Sequence, residues 1–371
     1  MKVLHINSNY LYTTLHEKLI EGLQEKNIVN QIYMPTHGGI DFAIPPKEYV
    51  HHPICFNKLD RYLYHFKQKK MLLRLIKDID INSYNVVHAH TLFTDGYMAY
   101  KLYEAYKIPY VVAVRNTDVN AFFKKRVFLR PTGLKILEHA EKVIFISEAY
   151  KSIVLEKYIP KWLTSKVANK SIVIPNGIDN YWLENKSVLI NEKTHDKNIK
   201  LIFAGRIDKN KNVITTIKAC EMLRNKGFDV TLTIVGAIAD KKEFKKICKY
   251  EFVNYIPKQT KEKLMELYRA HDIFVMPSKT ETFGLVYAEA MSQGLPVIYT
   301  KGEGFDGQFK DGSIGYSVRY FSPSEIADSI VKIKENYGNM SHNCLESCVK
   351  FNWSTITNKY HSIYGKLGSG I

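Results

Sequence analysis

Cysteine is scarce in this chain: five in 371 residues, at Cys55, Cys220, Cys248, Cys344 and Cys348. So few, odd in number and scattered, they make no disulfide framework. Cys344 and Cys348 stand four apart, but no second pair completes a zinc set. Long apolar runs are missing too. No stretch approaches the ~20 residues that cross a bilayer, and Met1-Lys-Val-Leu-His-Ile-Asn7 lacks the apolar region of a secretory signal, so a cytosolic setting is expected. No fixed-period repeat occurs, which excludes a solenoid. Acid is in short supply, with 37 Asp and Glu against 53 Lys and Arg, a net charge of +16. That excess calls for an acidic partner: a phosphorylated ligand, nucleic acid or an anionic membrane surface.

What is present is a globular composition, 45% hydrophobic and 24% charged, long enough for two domains that each bury a core. Short apolar, β-branched runs alternate with longer helical stretches, the pattern of parallel sheets with crossover helices. Strands are expected at Lys2–Asn7, Gln31–Met34, Val86–His90, Tyr110–Arg115, Val143–Ser147 and Ser171–Pro175. In the second half they fall at Lys200–Gly205, Val230–Gly236, Phe252–Ile256, Asp272–Pro277, Pro296–Thr300 and Gly315–Val318. The fold class is therefore α/β, two doubly wound domains over 1–178 and 199–350. The polar stretch Asp179–Asn198 reads as their linker, and residues 351–371 as a closing amphipathic helix with Ser354 as its N-cap.

The segment Glu281-Thr-Phe-Gly-Leu-Val-Tyr-Ala-Glu289 follows the strand Asp272–Pro277 and enters a helix over Gly284–Gln293. Glu281 then sits on a loop at the carboxyl edge of the sheet and Glu289 inside the helix, about 12 Å along. That is the reach from a sugar across a diphosphate to a ribose, with the helix amides turned to the phosphates. Upstream, Gly205-Arg206-Ile-Asp-Lys-Asn-Lys211-Asn212 leaves another strand at the same edge, where open α/β sheets bind ligands. Arg206 offers a forked guanidinium and Lys211 a point charge, a pair suited to a diphosphate.

Gly205-Arg206…Lys211-Asn212, Ile234-Val-Gly236, Pro277-Ser278…Glu281-Thr-Phe-Gly284…Glu289-Ala-Met, Gly294-Leu-Pro-Val and Ile174-Pro-Asn-Gly-Ile-Asp179 together resemble the retaining, nucleotide-sugar-dependent glycosyltransferases of family four. The resemblance spans almost the whole chain. It implies the GT-B fold: two Rossmann-like domains facing a cleft, the donor held by the second, and a last helix carrying Trp353 and Tyr360 back to the first. It further implies a nucleoside diphosphate sugar as donor, a UDP-sugar foremost, with no cofactor and no metal. Arg206 and Lys211 would hold the diphosphate and stabilise it as it leaves. Glu289 would accept from the ribose hydroxyls and Glu281 from the sugar, while the amides of Phe283, Gly284 and Leu285 approach the phosphates. Two departures stand on the acceptor side. Arg115, in Arg115-Asn116-Thr117-Asp118, occupies the place of the family's histidine, and Asn7-Ser-Asn-Tyr10-Leu-Tyr12 replaces a Gly-Gly loop. Arg115, Asn116, Asp118, Tyr10 and His90 are thus the acceptor-side candidates.

Asp78-Ile-Asp80 spells a metal-binding motif of other glycosyltransferases but lies far from the donor signals. Gly302-Glu-Gly-Phe-Asp-Gly307 fits a dinucleotide fingerprint yet leads into a strand rather than a helix, so it reads as a loop closing the sugar pocket. Two basic-aromatic stretches, Lys58–Lys77 and Phe122–Arg130, suit an anionic membrane surface. The saccharide acceptor is then expected on a lipid carrier, in polysaccharide or glycan assembly, with the protein cytoplasmic and peripheral on the membrane. No nucleic-acid signature is seen. The competing readings are a catalytically silent binding protein on the same scaffold and a nucleotide-sugar epimerase.

Overall fold

The computed structural model describes residues 1–39, 41–187 and 197–368. Residues 188–196 of Asp179–Asn198, the expected linker, lie outside these. Of its described ends, Asn180–Glu184 is a short helix capped by Asp179, and Asn198 already opens a strand. The chain divides into two units. The first comprises Met1–Ile146, Tyr150–Asn176 and Trp353–Ile371, and the second Ser147–Ala149 and Gly177–Asn352.

The first unit is a parallel sheet of β1 (Lys2–Ile6), β2 (Val29–Tyr33), β3 (Val50–His51), β4 (Val86–Ala89), β5 (Tyr110–Val114), β6 (Lys142–Phe145) and β7 (Ser171–Val173), in the order β3-β2-β1-β4-β5-β6-β7. β4 and β5 are buried along their whole length, as strands covered by helices on both faces must be. The sheet order reverses between β1 and β4, so the loops leaving these two strands frame the unit's switch point. β3 was not expected from sequence. Two residues long, flanked by prolines at Pro46 and Pro53, it carries no periodic signal.

The closing helix, Trp353–Gly368, belongs to this first unit. Trp353, Ile356, Tyr360, Ile363 and Tyr364 recur at helical spacing and pack in one core with Leu19, Ile20 and Leu23 of the helix Leu15–Gln24. Ser354 is the second residue of the helix rather than its cap. Trp353 is drawn into the helix by the core it enters.

In the second unit, β8 (Asn198–Ala204), β9 (Asp229–Val235), β10 (Val253–Ile256), β11 (Ile273–Val275), β12 (Val297–Thr300) and β13 (Gly315–Val318) form a parallel sheet ordered β10-β9-β8-β11-β12-β13. This is the doubly wound order, with its reversal between β8 and β11. Each expected strand is present within a few residues at either end. The helix after β11 runs Leu285–Ser292.

Candidate active site

Arg206 to Asn212 leave β8 and Pro277 to Gly284 leave β11, so both segments stand at the switch point of the second sheet. Asn210 staples them together. Its amide donates to the Thr280 carbonyl at 2.9 Å, and its side-chain oxygen accepts from the Thr280 amide and hydroxyl. Asn212, in a left-handed conformation, donates to the Pro277 carbonyl at 2.9 Å and to that of Tyr320. Neither role was visible in sequence, because each depends on loops 65 to 108 residues away.

Within this frame Lys211 and Glu281 meet, Nζ to Oε2 at 2.6 Å, with both side chains mostly buried. Ser278 donates to the same carboxylate oxygen at 3.2 Å. The Glu281 backbone is fixed as well: its amide donates to the Glu303 carboxylate at 2.8 Å, and its carbonyl accepts from the Gly304 amide at 3.0 Å. The loop Gly302–Gly307 is thus pinned against Glu281. At Gly304 a Cβ would stand 2.0 Å from the Thr282 carbonyl oxygen, so only glycine permits the approach. Phe305 anchors the loop, buried among Phe283, Tyr287, Tyr299 and Phe351.

Arg206 is different. Its side chain is 71% exposed, with the guanidinium 3.5 Å from the Asp208 carboxylate. A cation so placed keeps its charge at the loop's rim for an incoming anion. Phe283 is 2% exposed, backbone included, with its ring in the core 5.7 Å from that of Phe351. Gly284 takes φ 79°, a left-handed turn that starts the helix at Leu285, whose first amides lack partners within the helix. Farther along, burial pushes the Glu289 carboxyl up to about 7; Lys261 partly offsets this and Asp179 adds to it.

In the first unit the switch-point loops are clamped by two buried carboxylates. Asp118 accepts from the amides of Leu92, Phe93 and Arg115 at 2.9–3.1 Å, and burial raises it to about 6. Asp95 accepts from the Ser8 amide and hydroxyl and from Thr91, and burial raises it to about 7. Asp118 was expected to meet an acceptor, whereas its oxygens are occupied by backbone. Asp95 went unnoticed, because a lone Asp before a helix has no distinguishing context. Tyr10 is buried with its hydroxyl 3.3 Å from that of Tyr49, not turned outward to stack. Arg115 reaches the His90 carbonyl and the Asn176 side chain, both at 3.3 Å, and Asn116 donates to the Tyr150 hydroxyl at 2.6 Å.

His90 lies in a buried histidine cluster. His5 stands between Asn30, 2.9 Å from Nε2, and His90, 3.0 Å from Nδ1; His88 Nδ1 meets the Tyr364 hydroxyl at 2.6 Å. Since the Asn30 amide nitrogen donates to Ile28, its oxygen accepts from His5, which makes His5 the acceptor from His90. His5, His88 and His90 are the group among the described residues that offers metal-ligand atoms in proximity, within 4.8 Å of one another. However, His88 and His90 stack face to face with centroids 4.0 Å apart, which keeps their in-plane lone pairs from converging. Asp78, of the Asp78-Ile-Asp80 motif, is instead paired with His51 and Arg74.

Residues 15–180 match the model of Glycosyltransferase Family 4, and residues 186–348 that of Glycosyl transferases group 1. Together they take in β2 to β7 of the first sheet and the whole of the second sheet with its switch point. The chain belongs to the family-four glycosyltransferases. This glycosyltransferase is 24% identical over 375 residues to an uncharacterized glycosyltransferase of Methanocaldococcus jannaschii, covering 92% of this chain and 98% of that protein. It shares the GT-B fold with sucrose-phosphate synthase of Thermosynechococcus elongatus, at TM-score 0.75 and 17% identity over the whole of both chains. It also shares it with Anabaena HepE, solved in complex with UDP and glucose, at TM-score 0.66 and 16% identity over 98% of this glycosyltransferase and 99% of HepE.

Proposed function

We propose that this glycosyltransferase moves a hexose-type sugar, with retention of anomeric configuration, from a nucleoside diphosphate sugar, a UDP-sugar foremost, to a saccharide growing on a lipid carrier in polysaccharide assembly. The observation that carries the reading is the meeting of Arg206, Lys211, Glu281 and the tip of the helix Leu285–Ser292 at one switch point. HepE, with the same fold and UDP bound, supports the choice of donor.

In this reading the diphosphate lies across the helix tip, where amides and dipole favour negative charge. Arg206 closes on it from the rim. Lys211 leaves Glu281 for a phosphate oxygen, which frees the Glu281 carboxylate to accept from sugar hydroxyls, while Glu289 accepts from the ribose. As the anomeric C–O bond breaks, the electron pair departs on the diphosphate and the sugar gains oxocarbenium character. The two cations stabilise the leaving charge without a metal. The acceptor oxygen bonds to the same face of the sugar, and its proton passes to the departing phosphate oxygen. Arg115, whose backbone amide donates to Asp118, and Asn116, which donates to the Tyr150 hydroxyl, are the groups assigned to the acceptor.

The test is product analysis by NMR with a UDP-sugar and a saccharide acceptor. The reading requires release of UDP together with a glycoside of the donor's own anomeric configuration. An inverted glycoside would refute retention. Conversion of the donor with no acceptor present would favour an epimerase, and binding without turnover a silent relative.

A further inference from the structure

Two segments some sixty residues apart in the chain meet on one face of the first unit. Tyr64, which opens the helix Tyr64–Asp78, donates its hydroxyl to the Phe93 carbonyl at 2.7 Å, and its ring stands edge-on to Phe122 with centroids 6.2 Å apart. Phe122 stacks on Phe93 at 4.7 Å, and the Arg126 guanidinium lies 5.1 Å from the Phe122 ring. Arg61 and Arg126 both bear electrostatically on Lys67. The two basic-aromatic stretches therefore share one hub. Phe123, expected at the surface, is instead buried in the core, and the outward residues are those just after it.

Around the hub, large apolar side chains face solvent. Leu59 and Tyr62 are 76% exposed and Phe128 73%, while Leu63, Phe66 and Val127 are at least half exposed. The helix Tyr64–Asp78 buries another side, Tyr64, Gln68, Met71 and Leu75, so these exposed residues are surplus to the core. Lys58 and Arg61 flank Leu59; Lys124, Lys125 and Arg126 directly precede Val127 and Phe128; and the single acid of Lys58–Lys77, Asp60, is tied to Lys70. No helix among the described residues is long and apolar enough to cross a membrane.

We propose that this face docks on an anionic lipid bilayer, its cations on headgroup phosphates and Leu59, Tyr62, Leu63, Val127 and Phe128 entering the acyl boundary. Cations alone would suit any polyanion. Leucine and valine at the surface find no partner on a nucleic acid backbone, whereas the interface of a bilayer accepts both kinds of group side by side. The docking stands on its own residues and does not depend on the donor reading, although it would bring the enzyme to a lipid-linked acceptor.

The experiment is flotation of the full chain with vesicles of phosphatidylcholine alone and with phosphatidylglycerol added. Three proteins are compared: the natural chain, Leu63→Asp with Phe128→Asp, and Lys124→Glu with Lys125→Glu. The natural chain should float with anionic vesicles only, and each variant should lose at least ~10-fold in partitioning, since every surface cation contributes about fivefold. Circular dichroism and the thermal shift given by UDP should be unchanged in both variants, so loss of docking is told apart from misfolding and from failure of the donor site. Flotation with neutral vesicles as strong as with anionic ones would overturn the proposal. So would unchanged flotation of the Leu63→Asp, Phe128→Asp protein combined with displacement by a short oligonucleotide, which marks a general polyanion surface.

Discussion

Lys211 Nζ lies 2.6 Å from Glu281 Oε2, and these two side chains come from loops on adjacent strands, seventy residues apart in the chain. The ion pair stores a cation beside the place assigned to the diphosphate and holds the carboxylate assigned to the sugar. Replacing Lys211 by Met, or Glu281 by Gln, should lower kcat on the order of 10²–10³-fold, as loss of one aimed electrostatic group does. The double variant should be little worse than the poorer single one, because the pair acts as a unit. Steady-state kinetics of the three variants checks this.

Glu289 gives the donor site a pH dependence. Its carboxyl, raised by burial to about 7, is protonated at acid pH and then presents fewer acceptor sites to ribose hydroxyls. Donor affinity should therefore rise about tenfold between roughly pH 6 and 8. In Glu289→Gln the affinity should be lower at the upper pH and flat with pH. For the free protein the sign is opposite: a raised carboxyl favours the fold when neutral, and that contribution is lost as pH climbs from the ordinary Glu range to about 7. Calorimetric titration with UDP across this window reads the affinity directly.

Gly304 is where the Glu303 loop touches the Glu281 loop, and a methyl there would meet the Thr282 carbonyl oxygen at 2.0 Å. Gly304→Ala should cost about 1–3 kcal/mol of stability and displace the Glu281 backbone. The expected pattern is a fall in Tm together with a weaker thermal shift from UDP. Gly338→Ala, in the helix Tyr337–Ser347 with open space around the position, should leave Tm level or slightly raised and the UDP shift unchanged.

The histidine cluster makes the first unit sensitive to acid. Burial lowers His5 to about 4 and His16 to about 3, and holds His88 and His90 well below the ordinary range. The unfolded chain then binds protons that the folded one refuses. These histidines leave stability unchanged above about pH 6.5 and lower it as pH drops below that, by up to about 1.4 kcal/mol per pH unit for each. Urea midpoints between roughly pH 4.5 and 6.5 should decline, but less than four histidines alone would give, because Asp95, Asp118 and Glu289, raised by burial, take up protons in the folded chain over the same range. His16→Gln should lessen the slope by about one proton. His88 also receives the closing helix through Tyr364. Hydrogen-exchange protection of Trp353–Gly368, corrected for the intrinsic pH dependence of exchange, should fall at the acid end of the range.

Much of the fold was legible because buried parallel strands are written as short apolar runs: Val86–Ala89 and Ile273–Val275 needed only composition and length. Lys211 and Glu281 were legible for a related reason, since each follows such a run at the sheet's carboxyl edge. Their direct contact was not, because sheet order rather than sequence order puts β8 beside β11. The acceptor side read less well. Asp118 and Tyr10 drew notice as polar or aromatic groups at a strand exit, but three backbone amides claim one and the core claims the other. Asp95, Asn210 and the histidine cluster act through partners distant in sequence, and a residue type alone carries no sign of that.

The most direct test of the central claim is equilibrium binding of UDP and of uridine to the natural protein and to a chain with Arg206→Ala and Lys211→Met. If a diphosphate docks between these cations and the tip of Leu285–Ser292, the natural protein should bind UDP at least ~100-fold more tightly than uridine, and the variant should lose most of that preference while still binding uridine. Equal affinity for UDP and uridine in the natural protein, or an unchanged preference in the variant, would contradict it.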